Sequence, residues 1–162
     1  VMKETGAHAI KLEGGAEVEE SIKRIVGAGV PVMGHLGLTP QSIYKFGTYA
    51  VRAKEEAEAN LLVEHAKVLE AAGCFAIVLE KIPASLGALV AQQVRIPIIG
   101  IGAGAGVDGQ VLVMHDLLGI TKNFSPRFLR RYLDLHSAIL NATKQYIQDV
   151  KQLDFPNNEE QY

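Results

Sequence analysis

Four ionisable side chains lie in or directly after short apolar runs of this sequence. Lys11 and Glu13 occur in "IKLEGG", His35 occurs in "VPVMGHLG", and Glu80 ends "CFAIVLE". An ammonium, an imidazole and two carboxylates in one place could orient an anionic substrate and move a proton. These four residues are therefore the candidates for an active site.

Each candidate also has a structural explanation. Lys11 and Glu13 are two residues apart, so on a strand they point to the same side, either as part of a site or as an ion pair at the sheet rim. His35 stands between Gly34 and Gly37, which allow a ligand to approach, but a single histidine can equally be hydrogen-bonded within a loop.

Glu80 is the stronger signal. A carboxylate that ends a wholly apolar strand is partly buried, and partial burial raises a carboxyl pKa and makes it a better base near neutrality. The structural alternative is a salt bridge with Lys81 or with a neighbouring helix. After His35, "TPQS" resembles a helix start with Thr39 as its cap, which would bring a helix N-terminus to the same place.

The elements that must position these residues alternate between strand and helix. Helical patterns occupy "EVEESIKRIVGAG", roughly Glu55 to Ala72, and "PASLGALVAQQV", between short apolar strands that continue to "IPIIGIGAG". This order predicts an α/β fold with a parallel sheet, whose functional residues gather at the carboxyl ends of the strands. The intervals from Glu13 to His35 to Glu80 to Gly102 are 22, 45 and 22 residues (35−13, 80−35, 102−80), which suit a (β/α) barrel.

The chain is short for a complete barrel. An eight-stranded barrel takes about 250 residues, whereas this chain has 162 residues. We expect residues 1–162 to form a single domain, either a smaller doubly wound sheet or the C-terminal part of a barrel. "GQVLVMHDLLGI" is expected to add a last short strand, and an amphipathic helical stretch is expected from about Pro126 to Leu153.

Composition narrows the function classes. The formal net charge of −2 provides no basic field for a polyanion, so nucleic acid and anionic membranes are poor partners and a small molecule is favoured. A lone cysteine, Cys74, resembles a buried apolar residue and fits a reducing cytoplasm. No apolar run is long enough for a membrane span, so we expect a cytoplasmic protein.

Other motifs are less specific. The glycines of "GIGAGAG" do not follow a dinucleotide-binding fingerprint, so they predict a tight strand-to-helix turn, with a phosphate cradle as the alternative. His115 and Asp116 could be site residues, although a His-Asp pair that ends a strand is more often structural. No zinc-type cluster, nucleophile elbow or Walker motif is present.

Taken together and in order, "KLEGG", "PVMGHLGLTPQS", "FAIVLEKIP", "IPIIGIGAG" and "DGQVLVMHDLLGI" closely resemble the ketopantoate hydroxymethyltransferase family. The resemblance covers essentially all 162 residues. It implies a (β/α)8 TIM barrel of the phosphoenolpyruvate/pyruvate type, a cytoplasmic homo-oligomer that is usually a decamer, and Mg²⁺ as cofactor. It also implies transfer of a hydroxymethyl group from 5,10-methylenetetrahydrofolate to 3-methyl-2-oxobutanoate, which gives 2-dehydropantoate for pantothenate biosynthesis.

The resemblance also implies a role for each of the four candidates. Lys11 would bind the substrate carboxylate, and His35 would hydrogen-bond the keto acid. Glu13 would hold a metal-bound water, and Glu80 would move the proton while Mg²⁺ stabilises the enolate.

The chain departs from the family pattern in two ways. Nothing in it corresponds to the family's first strands, with their two aspartate metal ligands and a substrate-binding serine. The resemblance therefore implies strands 4 to 8 of the barrel, a missing N-terminal half and main Mg²⁺ ligands outside this chain. "GTYAVRAK" and "LEKIP" also differ from the usual "GGYKVQG" and "LECVP". The folate-binding residues are not identified.

Three other functions remain open from the sequence. One is a non-catalytic half-domain retained for assembly contacts, and another is a flavodoxin-like ligand-binding module that uses "GIGAGAG". The third is a carbon–carbon lyase of the same barrel superfamily, which a requirement for folate would distinguish.

Overall fold

The computed structural model describes residues 2–162, apart from the side chains of Lys45 and Phe46. It contains two compact units, of which the first ends at Val111 and the second is Leu112–Tyr162. The first unit contains all five strands of the described sheet.

Strands and helices alternate in the first unit, as the sequence predicts, except that the last two strands have no helix between them. In chain order its elements are α1 (Met2–Thr5), β1 (Ile10–Glu13), a 3₁₀ helix (Ala16–Val18), α2 (Glu19–Gly27), β2 (Val32–Gly37), a second 3₁₀ helix (Pro40–Ser42), α3 (Ile43–Phe46), α4 (Glu56–Ala71), β3 (Ala76–Glu80), α5 (Ala84–Gln93), β4 (Ile98–Ile101) and β5 (Gly109–Gln110). The last strand expected after Asp108 is therefore present, with two residues.

The sheet is parallel, and its strands follow one another in chain order, β1-β2-β3-β4-β5. A doubly wound sheet reverses its strand order at a switch point and carries helices on both faces. The described strands show no such reversal, so the smaller doubly wound sheet is not what they form. An α/β fold with a parallel sheet is confirmed.

The two faces of this sheet differ. One face packs against α2, α4 and α5, and we call it the helix-covered face. Its strand residues Val32, Leu36, Ile77, Leu79 and Ile98 join Ile22, Leu62, Leu69, Leu86 and Val90 of the helices in one core. Cys74 belongs to this core, and its burial raises the pKa of the thiol.

We call the opposite side the open face. By register it carries Lys11, Glu13, Met33, His35, Ala76, Val78, Glu80, Ile99 and Ile101. None of these residues belongs to the core cluster, and Met33, Ile99 and Ile101 are partly exposed. Within the described residues, helices therefore cover only one face of the sheet.

The second unit contains α6 (Met114–Leu117) and α7 (Leu135–Lys151). The expected helix from about Pro126 is wrong over its first turns, because Arg131 Nη2 donates to the carbonyls of Thr121, Lys122 and Phe124 and so holds a loop. His115 and Asp116 lie in α6, so the expectation that they end a strand is also wrong.

Among the described residues, no helix is both long enough and apolar enough to cross a membrane.

Candidate active site

Lys11 and Glu13 lie on the same face of β1, as the strand periodicity predicts. Their side chains reach the open face, where Lys11 Nζ lies 3.7 Å from Glu13 Oε1. The Glu13 side chain is 6% exposed, whereas that of Lys11 is 45% exposed. The carboxylate is therefore desolvated, while the ammonium reaches from solvent toward the interior of the site.

His35 lies opposite Glu13 in the register of β1 and β2. Its side chain is 2% exposed. Its Nδ1 atom lies 3.2 Å from Lys11 Nζ and 3.3 Å from Glu13 Oε1. The two candidates on β1 thus meet one edge of the imidazole ring.

Glu80 approaches the other edge of the same ring. Its register partner on β2 is Gly37, two residues after His35. Its Oε2 atom lies 3.3 Å from His35 Nε2, but Nε2 is fully buried and makes no hydrogen bond with acceptable geometry within the described residues. Glu80 Oε2 and His35 Nε2 are therefore close enough for an ion pair but do not form a hydrogen bond.

We call Lys11, Glu13, His35 and Glu80 the strand-end cluster. The sequence predicts each of its members separately, and the structure brings all four together around the imidazole of His35. The alternative salt bridge between Glu80 and Lys81 is absent among the described ion pairs, and Lys81 Nζ donates to the carbonyl of Tyr49. Lys81 turns away from the cluster and serves another contact.

The chain after β2 closes over this cluster. The backbone N–H of Gln41 donates to Glu13 Oε2 at 2.9 Å, so the short 3₁₀ helix does present a backbone donor to the site. Thr39 precedes that helix without a side-chain capping bond, contrary to the expectation that it caps a helix. Glu13 therefore has one oxygen held by backbone and the other facing Lys11 and His35.

Gly37 sets the spacing between β2 and β3 at this rim. Its φ angle is +89°, and a Cβ at this position would overlap the carbonyl oxygen of Glu80. Because no side chain is present, Leu38 N approaches within 2.9 Å of the Glu80 carbonyl. The peptide that follows the proposed base is therefore fixed from β2.

Lys81 makes structural contacts next to the site that the sequence does not predict. It adopts φ of +52°, an uncommon backbone conformation for a residue with a side chain, directly after Glu80. Its N–H donates to Ile101 O, its carbonyl accepts from Arg52 N at 2.9 Å, and its ammonium holds the Tyr49 carbonyl. Residues 49–52 are thus tied to the strand end that carries Glu80, and no spacing rule in the sequence reveals such a contact.

The glycine-rich stretch after β4 packs closely against α5. A Cβ on Gly104 would overlap Ala84, and a Cβ on Gly87 would overlap the carbonyl of Ala103. Gly102 and Gly104 both have positive φ angles. The turn leads from β4 to β5 and not into a helix, so the strand-to-helix turn that the sequence predicts is wrong.

A cavity of about 420 Å³ lies on the other side of the strand ends. Its lining includes Gly14, Gly37, Arg52, Glu58 and His65. No side chain of the strand-end cluster lines it. The cavity is therefore separate from the candidate active site.

The described residues do not form a metal site. No group of three or more histidine, cysteine, aspartate or glutamate side chains in residues 2–162 is arranged to hold a metal ion. The two carboxylates of the cluster are on opposite edges of His35, and Lys11 places a positive charge beside Glu13. These side chains alone do not fit the oxygen-rich coordination that Mg²⁺ requires.

Comparison with known proteins identifies the family. The family model for ketopantoate hydroxymethyltransferase matches residues 1–158. Similar curated proteins named 3-methyl-2-oxobutanoate hydroxymethyltransferase come from Parabacteroides distasonis (70% identical, 100% of this chain and 59% of the relative), Porphyromonas gingivalis (69%, 100% and 59%) and Flavobacterium johnsoniae (67%, 100% and 60%). The chain spans about 60% of the length of these relatives.

Among solved structures, the crystal structure of the YdjI aldolase from Escherichia coli K12 is similar at 16% identity with a TM-score of 0.40. The likeness covers 69% of this chain and 47% of that chain. The family match spans nearly the whole sequence. The chain therefore belongs to the ketopantoate hydroxymethyltransferase family.

Proposed function

We propose that this chain forms part of an enzyme that transfers a hydroxymethyl group from 5,10-methylenetetrahydrofolate to 3-methyl-2-oxobutanoate, giving 2-dehydropantoate for pantothenate biosynthesis. Membership of the family supports the reaction. One structural observation carries the proposal: a buried imidazole lies between the carboxylate of Glu80 and the Lys11–Glu13 pair, each within 3.3 Å of a ring nitrogen. This arrangement suits the removal of a proton beside a ketone.

Glu80 acts as the base in this mechanism. The C–H bond next to the keto group is a weak acid, so its cleavage needs a base within reach. The Glu80 side chain is 17% exposed, which leaves it open to a small substrate but largely out of bulk water. Its carboxylate takes the proton from C3, the C–H electron pair forms the new carbon–carbon double bond, and the keto oxygen becomes the enolate oxygen.

His35 and Lys11 bind the anionic substrate. An N–H from His35 donates to the keto oxygen, where negative charge develops as the proton leaves, and a fixed donor at such a position lowers the barrier. Lys11 pairs with the substrate carboxylate, because its ammonium is partly exposed at the edge of the cluster. The enolate carbon then forms a bond to the methylene carbon of the folate. Both carbon–nitrogen bonds of that methylene break as the two nitrogens take up protons, one from Glu80 and one from water, and the same water supplies the hydroxyl group of the product.

Glu13 holds a water molecule and orients Lys11. Its Oε2 accepts from Gln41 N and its Oε1 lies near Lys11, so the carboxylate is fixed from two elements. The resemblance implies that this water is bound to Mg²⁺. Since the described residues do not fit that ion by themselves, its main ligands would come from outside this chain.

We further propose that the five strands belong to a closed (β/α)8 barrel, as strands 4 to 8, in a cytoplasmic homo-oligomer. In-order parallel strands with helices on one face support a barrel, because such a sheet closes with its open face inward. The share of the relatives' length that the chain spans supports further strands outside this chain.

Proton NMR of 3-methyl-2-oxobutanoate in D₂O tests the function. Protein-dependent loss of the C3 proton signal, abolished by EDTA, would support enolisation in a metal-dependent site. If exchange occurs without folate and product forms only with 5,10-methylenetetrahydrofolate, the transferase is supported over a carbon–carbon lyase. If no exchange occurs even in the presence of the N-terminal segment, the proposed function is wrong.

A further inference from the structure

The two nitrogens of the His35 ring have different surroundings. Nδ1 has Lys11 Nζ at 3.2 Å and Glu13 Oε1 at 3.3 Å. Nε2 has Glu80 Oε2 at 3.3 Å without a hydrogen bond, and it is buried. In a neutral imidazole only one nitrogen carries the proton, so these surroundings decide which nitrogen donates.

An ammonium group can donate hydrogen bonds but cannot accept one. The contact between Lys11 Nζ and Nδ1 therefore requires a lone pair on Nδ1, which leaves the ring proton on Nε2. We infer that Lys11 is a positioning residue that fixes His35 in the tautomer with its proton on Nε2. This role is additional to carboxylate binding, since an ammonium has three protons to donate.

Glu13 favours the opposite tautomer. A carboxylate accepts hydrogen bonds, so Glu13 Oε1 would draw the proton to Nδ1 if it were the sole neighbour of that atom. Lys11 Nζ lies near both groups, 3.7 Å from Glu13 Oε1 and 3.2 Å from Nδ1. The ammonium thus compensates the carboxylate and at the same time occupies the Nδ1 lone pair.

The consequence is a buried N–H on Nε2, next to the carboxylate of Glu80. A buried donor without a well-aligned partner is costly, and a ligand oxygen that accepts from it removes this cost. The use of this N–H for the keto oxygen rests on the proposed function, whereas the position of the proton does not. His35 would then act as a neutral donor beside the base Glu80.

The tautomer is measurable without substrate. In protein labelled with ¹⁵N histidine, two-bond and three-bond ¹H–¹⁵N correlations under mildly alkaline conditions distinguish Nε2–H from Nδ1–H. The chain has five histidines, so the His35→Asn variant identifies the signal by its loss. We expect Nε2 to be protonated in the wild type, and a proton on Nδ1 would overturn the inference.

Substitution of Lys11 tests the cause. In Lys11→Met, Glu13 remains as the neighbour of Nδ1, so we expect the proton to move to Nδ1. Lys11→Arg, which retains a cationic donor, should keep it on Nε2. Lys23→Met is the control, because Lys23 pairs with Glu19 on α2 and does not contact His35. An unchanged tautomer in Lys11→Met would overturn the role of Lys11.

Kinetics separates the inference from the proposed function. The loss of a fixed donor to a developing oxyanion typically lowers kcat by about 10²–10³-fold, and we expect a loss of this order for C3 exchange in Lys11→Met. The expected rise in KM reflects the lost carboxylate contact, and Lys11→Arg should recover most of kcat. A tautomer as expected in a protein without exchange would contradict the proposed function alone, whereas exchange with Nδ1 protonated would contradict this inference alone.

Discussion

The two faces of the sheet are made by alternate residues of the same strands, yet they differ in almost every respect. On the helix-covered face, Val32, Ile77 and Ile98 are fully buried among apolar side chains. On the open face, the buried positions near the strand ends include a histidine and a carboxylate. The helix-covered face therefore provides most of the stability, and the open face carries the candidate catalytic residues. A substitution on the helix-covered face should mainly change stability, and one on the open face should mainly change activity.

The largest effect is expected from Glu80→Gln on the open face. This change removes the base but keeps the shape of the side chain, so the rate of C3 exchange should fall by about 10²–10⁴-fold. Substrate binding and the melting temperature should change little. Proton NMR in D₂O and thermal unfolding measure the two properties.

Glu64→Gln is the matched control, because Glu64 is on α4 and pairs with Lys67 away from the cluster. Equal losses of exchange and of substrate binding in Glu80→Gln would contradict the assignment of Glu80 as the base.

Ile77→Ala on the helix-covered face should lower the stability and leave the chemistry of the open face largely unchanged. Ile77 is 0% exposed in the core, so its truncation leaves a cavity and should cost about 2–5 kcal/mol of unfolding free energy. Ile99→Ala on the open face should cost about 1 kcal/mol, because a partly exposed side chain leaves water rather than a void. Urea unfolding of the 162-residue chain measures both.

If Ile99→Ala lowers the free energy of unfolding as much as Ile77→Ala does, Ile99 is buried in solution. The open face would then be covered, and the two faces would not differ in burial. The same pair measured in a longer protein tests the barrel, since closure would bury Ile99 and raise its cost.

A smaller effect is expected from Lys81, which directly follows the end of β3. Lys81→Met removes the hydrogen bond from the ammonium to the Tyr49 carbonyl. One such bond contributes about 1 kcal/mol net, so local opening should become about fivefold more frequent. Chymotrypsin cleavage after the exposed Tyr49, followed by mass spectrometry, measures this opening.

Lys81→Arg keeps a donor and should cleave at the wild-type rate. Cleavage of Lys81→Met at the wild-type rate would mean that the ammonium does not hold residues 49–52.

The smallest effect is expected in the second unit. Asp134 accepts hydrogen bonds from the hydroxyl and the N–H of Ser137, and these bonds lower its pKa below the ordinary value of 3.8. A lowered pKa in the folded state means that this cap stabilises α7 at neutral pH and is lost as the pH falls through the folded-state pKa. Asp134→Ala should therefore weaken the start of α7 slightly at pH 7 and make no difference in acid.

The Ser137 amide shift, followed by NMR against pH, measures the effect. In Asp134→Ala the acid transition of that shift should disappear, and its persistence would show that another group causes it.

The sequence predicts the positions on the strands better than the contacts between loops. The same-side placement of Lys11 and Glu13 follows from the two-residue period of a strand, and Glu80 could be placed because a continuous apolar run ends there. The contact of all four cluster members follows from parallel register, which brings strand ends together. These parts of the fold and site rest on regular geometry.

Contacts made by irregular backbone could not be predicted in the same way. The left-handed conformation of Lys81 and its reach to Tyr49 depend on how a long loop closes, which no periodicity records. The stretch before α7 has a helical apolar pattern, but Arg131 bonds to three carbonyls there, and Asp134 caps the helix only afterwards. In both places, side-chain bonds to the backbone override local propensity.

The in-order arrangement of the strands also bears on how the sheet assembles during folding. Each strand pairs with strands adjacent in the chain, and the longest closure, from Met33 to Ala76, spans 43 residues (76−33). The β1–β2 closure, from Ile10 to Val32, spans 22 residues (32−10). Doubling a loop adds only about 0.6 kcal/mol of closure entropy, so no pairing of the described strands faces a large topological barrier. The sheet can therefore grow by successive addition of one strand at an edge, with one loop of limited length closed at each step.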